Sequence, residues 1–403
     1  MSSNAGNRYG TMSSVHLDAI RGAAALVVLL GHTRDLFFSS FTAAFRAPEI
    51  TAATLPFRHT TSSVSIGNEA VIIFFVLSGY LVGGSAIREV RNQRWSWKRY
   101  LIQRTTRLWV VLLPALLLGV AVDHLGLQLF SGPHSIYSCA AGQTLVPCNL
   151  AQRLSPRVVA ANVFFLQTIL VDTAGSNNAL WSLANEFWYY LAFPMCLLAL
   201  EPSESKSRRA LYVVTLLTLG MFVGRNIFLL FFVWLLGALI YVLPLKIPRR
   251  VLPVATYLVA AAFPLSVLLV RQSQLSRYAA EWVVALSFCV LLYVVLHSTG
   301  PAKEGVYTTV AGFFSRMSYS LYLVHLPVAV ILCACFNSPW QPWDKSPLHL
   351  AAFLLLNVVL VAFAYLFYRI FEANTGVIRH AIFDPQKRPR MTSRIPDIDV
   401  SIG

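Results

Sequence analysis

The sequence predicts an all-α, polytopic integral membrane protein of about ten transmembrane helices, with the N- and C-termini cytoplasmic. Hydrophobic residues make up 57% of the 403-residue chain and charged ones only 12%, against about 25% charge in a soluble domain. Apolar runs of roughly 20 residues, the helical length that crosses a hydrocarbon core about 30 Å thick, recur along it. The basic residues behind the net charge of +15 collect in short stretches between those runs, which is the positive-inside pattern. They do not form one tract interleaved with aromatic residues, so the lipid bilayer is an expected partner and nucleic acid is not.

Residues 1–14 read as a cytoplasmic N-terminal segment, polar and without a cleavage site, so the first apolar span is retained. Residues 15–372 are the membrane domain, and 373–403 a basic cytoplasmic tail expected to be disordered. The first span, Leu17 to Phe38, is followed by a Ser/Thr-rich loop to Gly67 and a second apolar run, Ala70 to Ile87. The loop after it carries Arg88, Arg91, Arg94, Lys98 and Arg99, which places it in the cytoplasm and the N-terminus with it. A third span, about Thr106 to His124, leads to an outer loop, 125–156. Arg157 to Leu170 is apolar but only about fourteen residues, the length of a re-entrant or interfacial segment. Treating it as non-crossing returns the fourth span, Leu180 to Leu200, to a loop with Lys206, Arg208 and Arg209 on the cytoplasmic side. Further spans are expected at about 210–224, 227–243, 251–270, 280–297, 312–336 and 348–370, with Arg271 and Arg277 outside as an exception to the charge rule.

Six cysteines are too scattered for a metal framework, and no metal is expected. Cys196, Cys289, Cys333 and Cys335 fall in apolar spans as packing residues. Cys139 and Cys148 flank a polar loop on the oxidising side, where they could form a disulfide; two unpaired loop thiols are the alternative.

The first span carries Asp18, Arg21, His32 and Asp35, a costly set for a membrane helix. The eleven steps from Arg21 to His32 make just over three turns, so both leave nearly the same face, roughly 16 Å apart along the axis. An intramembrane imidazole can serve as nucleophile or general base near neutral pH. Asp35, one turn away, is either its orienting carboxylate or a residue exposed at the helix end. In Phe74 to Gly84, Ser78 and Gly79 form a notch through which helices or a thin ligand approach closely. In Trp181 to Tyr190, Glu186 is placed in the outer half of its span among aromatic residues. Belt-forming Trp and Tyr are ordinary at that height, whereas a carboxylate there points to acid/base work or a sugar hydroxyl, with Trp181 and Tyr189 as faces for a carbohydrate acceptor. His325 is a second intramembrane imidazole, read either as a satisfied structural histidine or as part of a substrate site. Arg104 and Arg107, after the basic loop, suit the pyrophosphate and ribose phosphate of coenzyme A; topology signalling alone also explains them.

Together these stretches resemble the acyltransferase 3 family of multi-pass membrane acyltransferases. LDAIRGAAALVVLLGH, with Arg21, ten intervening residues and His32, is similar to the family's opening motif. FFVLSGYL, YLIQRTTRLW, LWSLANEFWYY and SYSLYLVH resemble its later landmarks in order. Two departures stand out: Ile72 occupies a position often acidic in the family, with Glu69 nearby, and FEANTG lacks a proline that commonly follows its Glu. The resemblance implies transfer of an acyl group, usually acetyl, from cytoplasmic acyl-CoA to a hydroxyl of an extracytoplasmic or lipid-linked carbohydrate, in a bacterial inner (cytoplasmic) membrane. Arg21 would position the donor, His32 would act as acyl acceptor or general base, and Glu186 would assist the acceptor, with glycan-synthesis proteins as possible partners. The rival readings are a transporter or flippase for a lipid-linked glycan and a non-catalytic subunit of a glycan-synthesis complex.

Overall fold

The computed structural model describes residues 11–38, 67–138, 145–244, 246–248, 250–297, 300–344 and 346–383. They form helices α1 (Met12–Phe37), α2 (Gly67–Arg91), α3 (Trp97–Leu129), α4 (Pro156–Val163), α5 (Trp181–Leu200), α6 (Lys206–Phe222), α7 (Gly224–Val242), α8 (Leu252–Gln272), α9 (Arg277–Val295), α10 (Val306–Phe336), α11 (Pro347–Ile370) and α12 (Thr375–Phe383). Helix starts carry the residue types that satisfy orphan N–H groups. The side chains of Thr11, Ser96, Ser205, Ser276 and Ser346 each accept from a backbone N–H of the first turn.

The centre of the bundle is the pair α1 and α10, flanked by α2, α3 and α11; α7 and α9 join through α2, α6 lies on α5, and α8 lies mainly on α9. In lipid, apolar burial gives helices no preference for one another, so close packing and hydrogen bonds hold them. Gly79 and Gly237 are where α2 and α7 cross. A Cβ at Gly79 would overlap the Trp234 carbonyl, and one at Gly237 the Val76 carbonyl. Residues Gly79–Gly83 form a π-turn inside α2 at this crossing. Pro327 interrupts α10, and the Leu323 carbonyl four residues earlier, which a proline cannot serve, accepts instead from Asn177 Nδ2 at 2.8 Å.

Nine helical segments among the described residues are long and apolar enough to cross a membrane, where ten were expected. The difference is α6, whose 17 residues spend their first turn on Lys206, Arg208 and Arg209. The stretch 157–170 holds only the eight-residue α4 followed by irregular backbone. Such backbone needs partners inside the protein. Trp109 Nε1 donates to Val163 O and Trp188 Nε1 to Phe165 O, both at 2.9 Å. Cys148 is disulfide-bonded; Cys139 lies outside the described residues. The tail, expected to be disordered from 373, begins with α12, packed on α3. The charge-rule exceptions Arg271 and Arg277 line a small cavity with Glu69 and Glu281. Arg277 Nε meets Glu281 Oε1 at 2.9 Å, so the cluster carries its own counter-charges.

Candidate active site

The polar stripe of α1 faces α10 and a cavity beside it. Near the end of the bundle that carries the Arg88–Arg99 loop, Arg21 Nη1 donates to Ser315 Oγ of α10 at 3.1 Å and approaches Asp18 Oδ1 at 3.4 Å. Ser315 Oγ donates to the same Asp18 oxygen at 2.6 Å, closing a three-membered group.

From Arg21 a cavity of about 950 Å³, including its open mouth, extends between α2, α3, α5 and α10. Its polar lining comprises Arg21, Arg104, Arg107, Ser78, Glu186 and the hydroxyls of Ser182, Ser318 and the tyrosines 190, 319 and 322. Arg104 Nη2 donates to Ser85 Oγ at 2.7 Å, and its guanidinium lies over the rings of Tyr100 and Tyr190 at 5.5 and 5.9 Å. Arg107 is exposed to the cavity and makes no hydrogen bond or ion pair of its own among the described residues. Glu186 Oε1 accepts from Tyr190 and, at 3.2 Å, from Ser78 Oγ. Ser78 in turn accepts from Trp234 Nε1 at 3.1 Å.

Glu186 therefore shares one chamber with the basic residues, well inside the bundle and not at its end. The reason is where α5 begins. Ser182 Oγ pairs with Tyr322 OH at 2.7 Å, and Tyr322 lies fourteen residues, about 21 Å of helix, short of Phe336 at the end of α10. The chain of 164–180 lies over the start of α5, where Gln167 Nε2 donates to Leu180 O at 2.9 Å.

Beyond Tyr322 stand the two histidines. The Tyr322 and His325 ring centroids are 6.1 Å apart, and His32 Nδ1 meets His325 Nε2 at 2.8 Å. The second nitrogen of His325 lies 2.9 Å from the Leu321 carbonyl. A carbonyl only accepts, so His325 Nδ1 carries the proton and its Nε2 is the acceptor. His32 Nδ1 must then be the donor, which leaves the lone pair of a neutral His32 on Nε2. His325 is buried and His32 half-buried. Asp35 pairs with Arg34 at 2.9 Å, while Nδ1 of His32 belongs to His325.

Not every candidate meets this chamber. Tyr189 is buried against Phe75, Phe231 and Trp234, with its hydroxyl donating to Ile227 O at 2.9 Å and accepting from Asn185. Its place is helix packing. Trp181 packs edge-on against Phe75 and does not line the cavity. Sequence reasoning passed over Glu372, just after α11, whose Oε2 accepts from Ser320 N at 3.0 Å and Ser320 Oγ at 2.6 Å in the middle of α10. Its only signal was a carboxylate in FEANTG at the end of an apolar span.

An arginine-rich chamber within a helical membrane bundle, with a histidine pair standing behind one of the tyrosines that line it, suits group transfer. A family model described as an acyltransferase domain, acyltransferase 3, matches residues 15–369. The chain belongs to the acyltransferase 3 family and is a membrane-embedded O-acyltransferase. No curated protein and no solved structure matches it.

Proposed function

We propose that the protein moves an acyl group, acetyl in the first instance, from cytoplasmic acyl-CoA to a hydroxyl of an extracytoplasmic or lipid-linked carbohydrate. The observation that carries this reading is the histidine pair: His325, anchored on Leu321 O, turns His32 so that Nε2 is the basic atom. The relay favours His32 as general base. His32 Nε2 takes the proton of the acceptor hydroxyl as that oxygen attacks the thioester carbonyl. The carbon–sulfur bond breaks, and the departing thiolate recovers the proton from His32. His325 Nε2 steadies the transient imidazolium through its bond to Nδ1–H, as an acceptor partner does in hydrolytic triads.

Arg21, tethered by Asp18 and Ser315, and the exposed Arg107 hold the donor in the chamber and face the charge that develops on the thioester oxygen. Arg104 stiffens the wall through Ser85 and the two tyrosines. Glu186, with both of its bonds on Oε1, offers Oε2 to an acceptor hydroxyl, and Ser78 fixes that orientation. In this reading His325 and Ser78 position other groups instead of binding substrate themselves. Incubating membranes with radiolabelled acetyl-CoA tests the proposal. Label should pass to glycan with the wild-type protein and not with His32→Ala; equal labelling by both would sink it.

A further inference from the structure

Arg104 and Arg107 lie seven and ten residues into α3, roughly 10 and 15 Å along its axis, in a chamber that also holds the Glu186 carboxylate. That is a poor home for the nucleotide of coenzyme A, which carries a pyrophosphate and a 3′-phosphate and gains most from solvent-facing cations. At the entrance end of the same helix, a groove of about 870 Å³, open to solvent, lies between the first two turns of α3 and helix α12. Among the described residues Lys98, Arg99, Arg379 and His380 line it, and no carboxylate does. Arg99 is tied to Glu89 at 3.3 Å, whereas Lys98 and Arg379 have no hydrogen bond or ion pair of their own among the described residues. Ile102 and Phe383 give it an apolar floor. The cations come from two helices separated by nearly the whole membrane domain, and α12 packs on α3 to bring them together.

We infer that this groove binds the 3′-phosphoadenosine diphosphate moiety of the acyl-CoA donor, an inference that rests on the donor reading above. Lys98 and Arg379 neutralise the phosphates, with Arg99 beside them, and Phe383 meets the adenine face. Gln103, on the groove, and Arg107, in the chamber, are one helical turn apart and share a face of α3. The pantetheine arm follows that face inward. Its reach is on the order of 15 Å, taking its two amide units as four to five residue lengths of extended chain at ~3.4 Å each, which carries the thioester from the groove into the chamber.

The test uses the full chain purified in detergent and the variants Lys98→Ala/Arg379→Ala and Arg379→Glu, both at sites outside the chamber. Adenosine 3′,5′-bisphosphate is titrated calorimetrically, and steady-state transfer is compared between acetyl-CoA and acetyl-pantetheine, which lacks the nucleotide. The expected result is at least tenfold weaker binding of the bisphosphate and a KM for acetyl-CoA raised at least tenfold at unchanged kcat. Use of acetyl-pantetheine should be the same as in the wild type. Unaltered bisphosphate binding and KM in both variants, or an equal loss with both donors, overturns the groove assignment and leaves the donor reading standing. A wild-type chain that transfers acetyl from neither donor overturns the donor reading, and the groove assignment falls with it.

Discussion

The indole N–H of Trp234 and the carboxylate of Glu186 are joined through one hydroxyl, that of Ser78, at 3.1 and 3.2 Å. Trp234 is fully buried. Ser78→Ala leaves its N–H without a partner, at a cost of about 1–3 kcal/mol. Thermal unfolding in detergent should show that loss, and Trp234→Phe in the same chain should restore part of it by removing the stranded donor. Additive losses in the double variant would mean that the hydroxyl does not link the two residues.

The histidine pair makes unequal demands on its members. His32→Ala should lower kcat by about 10²–10⁴, the range of general base catalysis. His325→Ala should lower it as well, because His32 loses the acceptor that fixes its tautomer, with KM for the donor unchanged. Full activity in His325→Ala, measured with saturating acetyl-CoA, would remove the relay from the mechanism.

Most of the fold was legible in the sequence because a bilayer imposes one length and one polarity on each crossing element. Span limits read from apolar runs differ from the helices mainly where helices continue past the hydrocarbon, as α3 does from Trp97 to Leu129. α6 was read as a span from its apolar stretch, 210–224, which begins a turn after the helix's polar start. At the site, Arg21 and His32 were legible, since charge on a membrane helix is expensive. What His32 pairs with was not legible: the contact joins residues 293 positions apart, and nothing in local spacing encodes it. Tyr189 shows the converse, being one of several aromatic residues in WSLANEFWYY whose exposure depends on how α5 is rotated. That Glu186 shares a chamber with Arg21, Arg104 and Arg107 was not legible either, because it depends on how three separate helices pack.

Where α2 crosses α7 there is no room for a side chain. Gly79→Ala and Gly237→Ala each drive a methyl group into the facing backbone. Overpacking costs typically 1–3 kcal/mol where side chains can yield, and a backbone yields less than a side chain does. Both variants should give markedly less monodisperse protein on size-exclusion chromatography than the wild type. Yield and profile matching the wild type would show that the two helices can part.

Asn177 serves the carbonyl that Pro327 leaves open. Asn177→Ala should destabilise the protein by about 1 kcal/mol. In a Pro327→Ala background the new N–H of residue 327 can serve Leu323 O within the helix, so the same substitution should cost clearly less. Equal costs in the two backgrounds, read from the four melting curves, would break the link between them.

The π-turn at Gly79–Gly83 divides α2 into two halves that are out of rotational phase. Ser78 and Ser85 are seven residues apart, a spacing that in an unbroken α-helix puts them almost in line on one face. A turn closed by i→i+5 bonds holds one extra residue, which rotates everything after it by roughly 100°. Ser78 thereby reaches Glu186 on α5 while Ser85 reaches Arg104 on α3. One helix thus addresses two neighbours in different directions. Deleting a single residue from the turn would make α2 regular and leave one of those two partners without its hydroxyl.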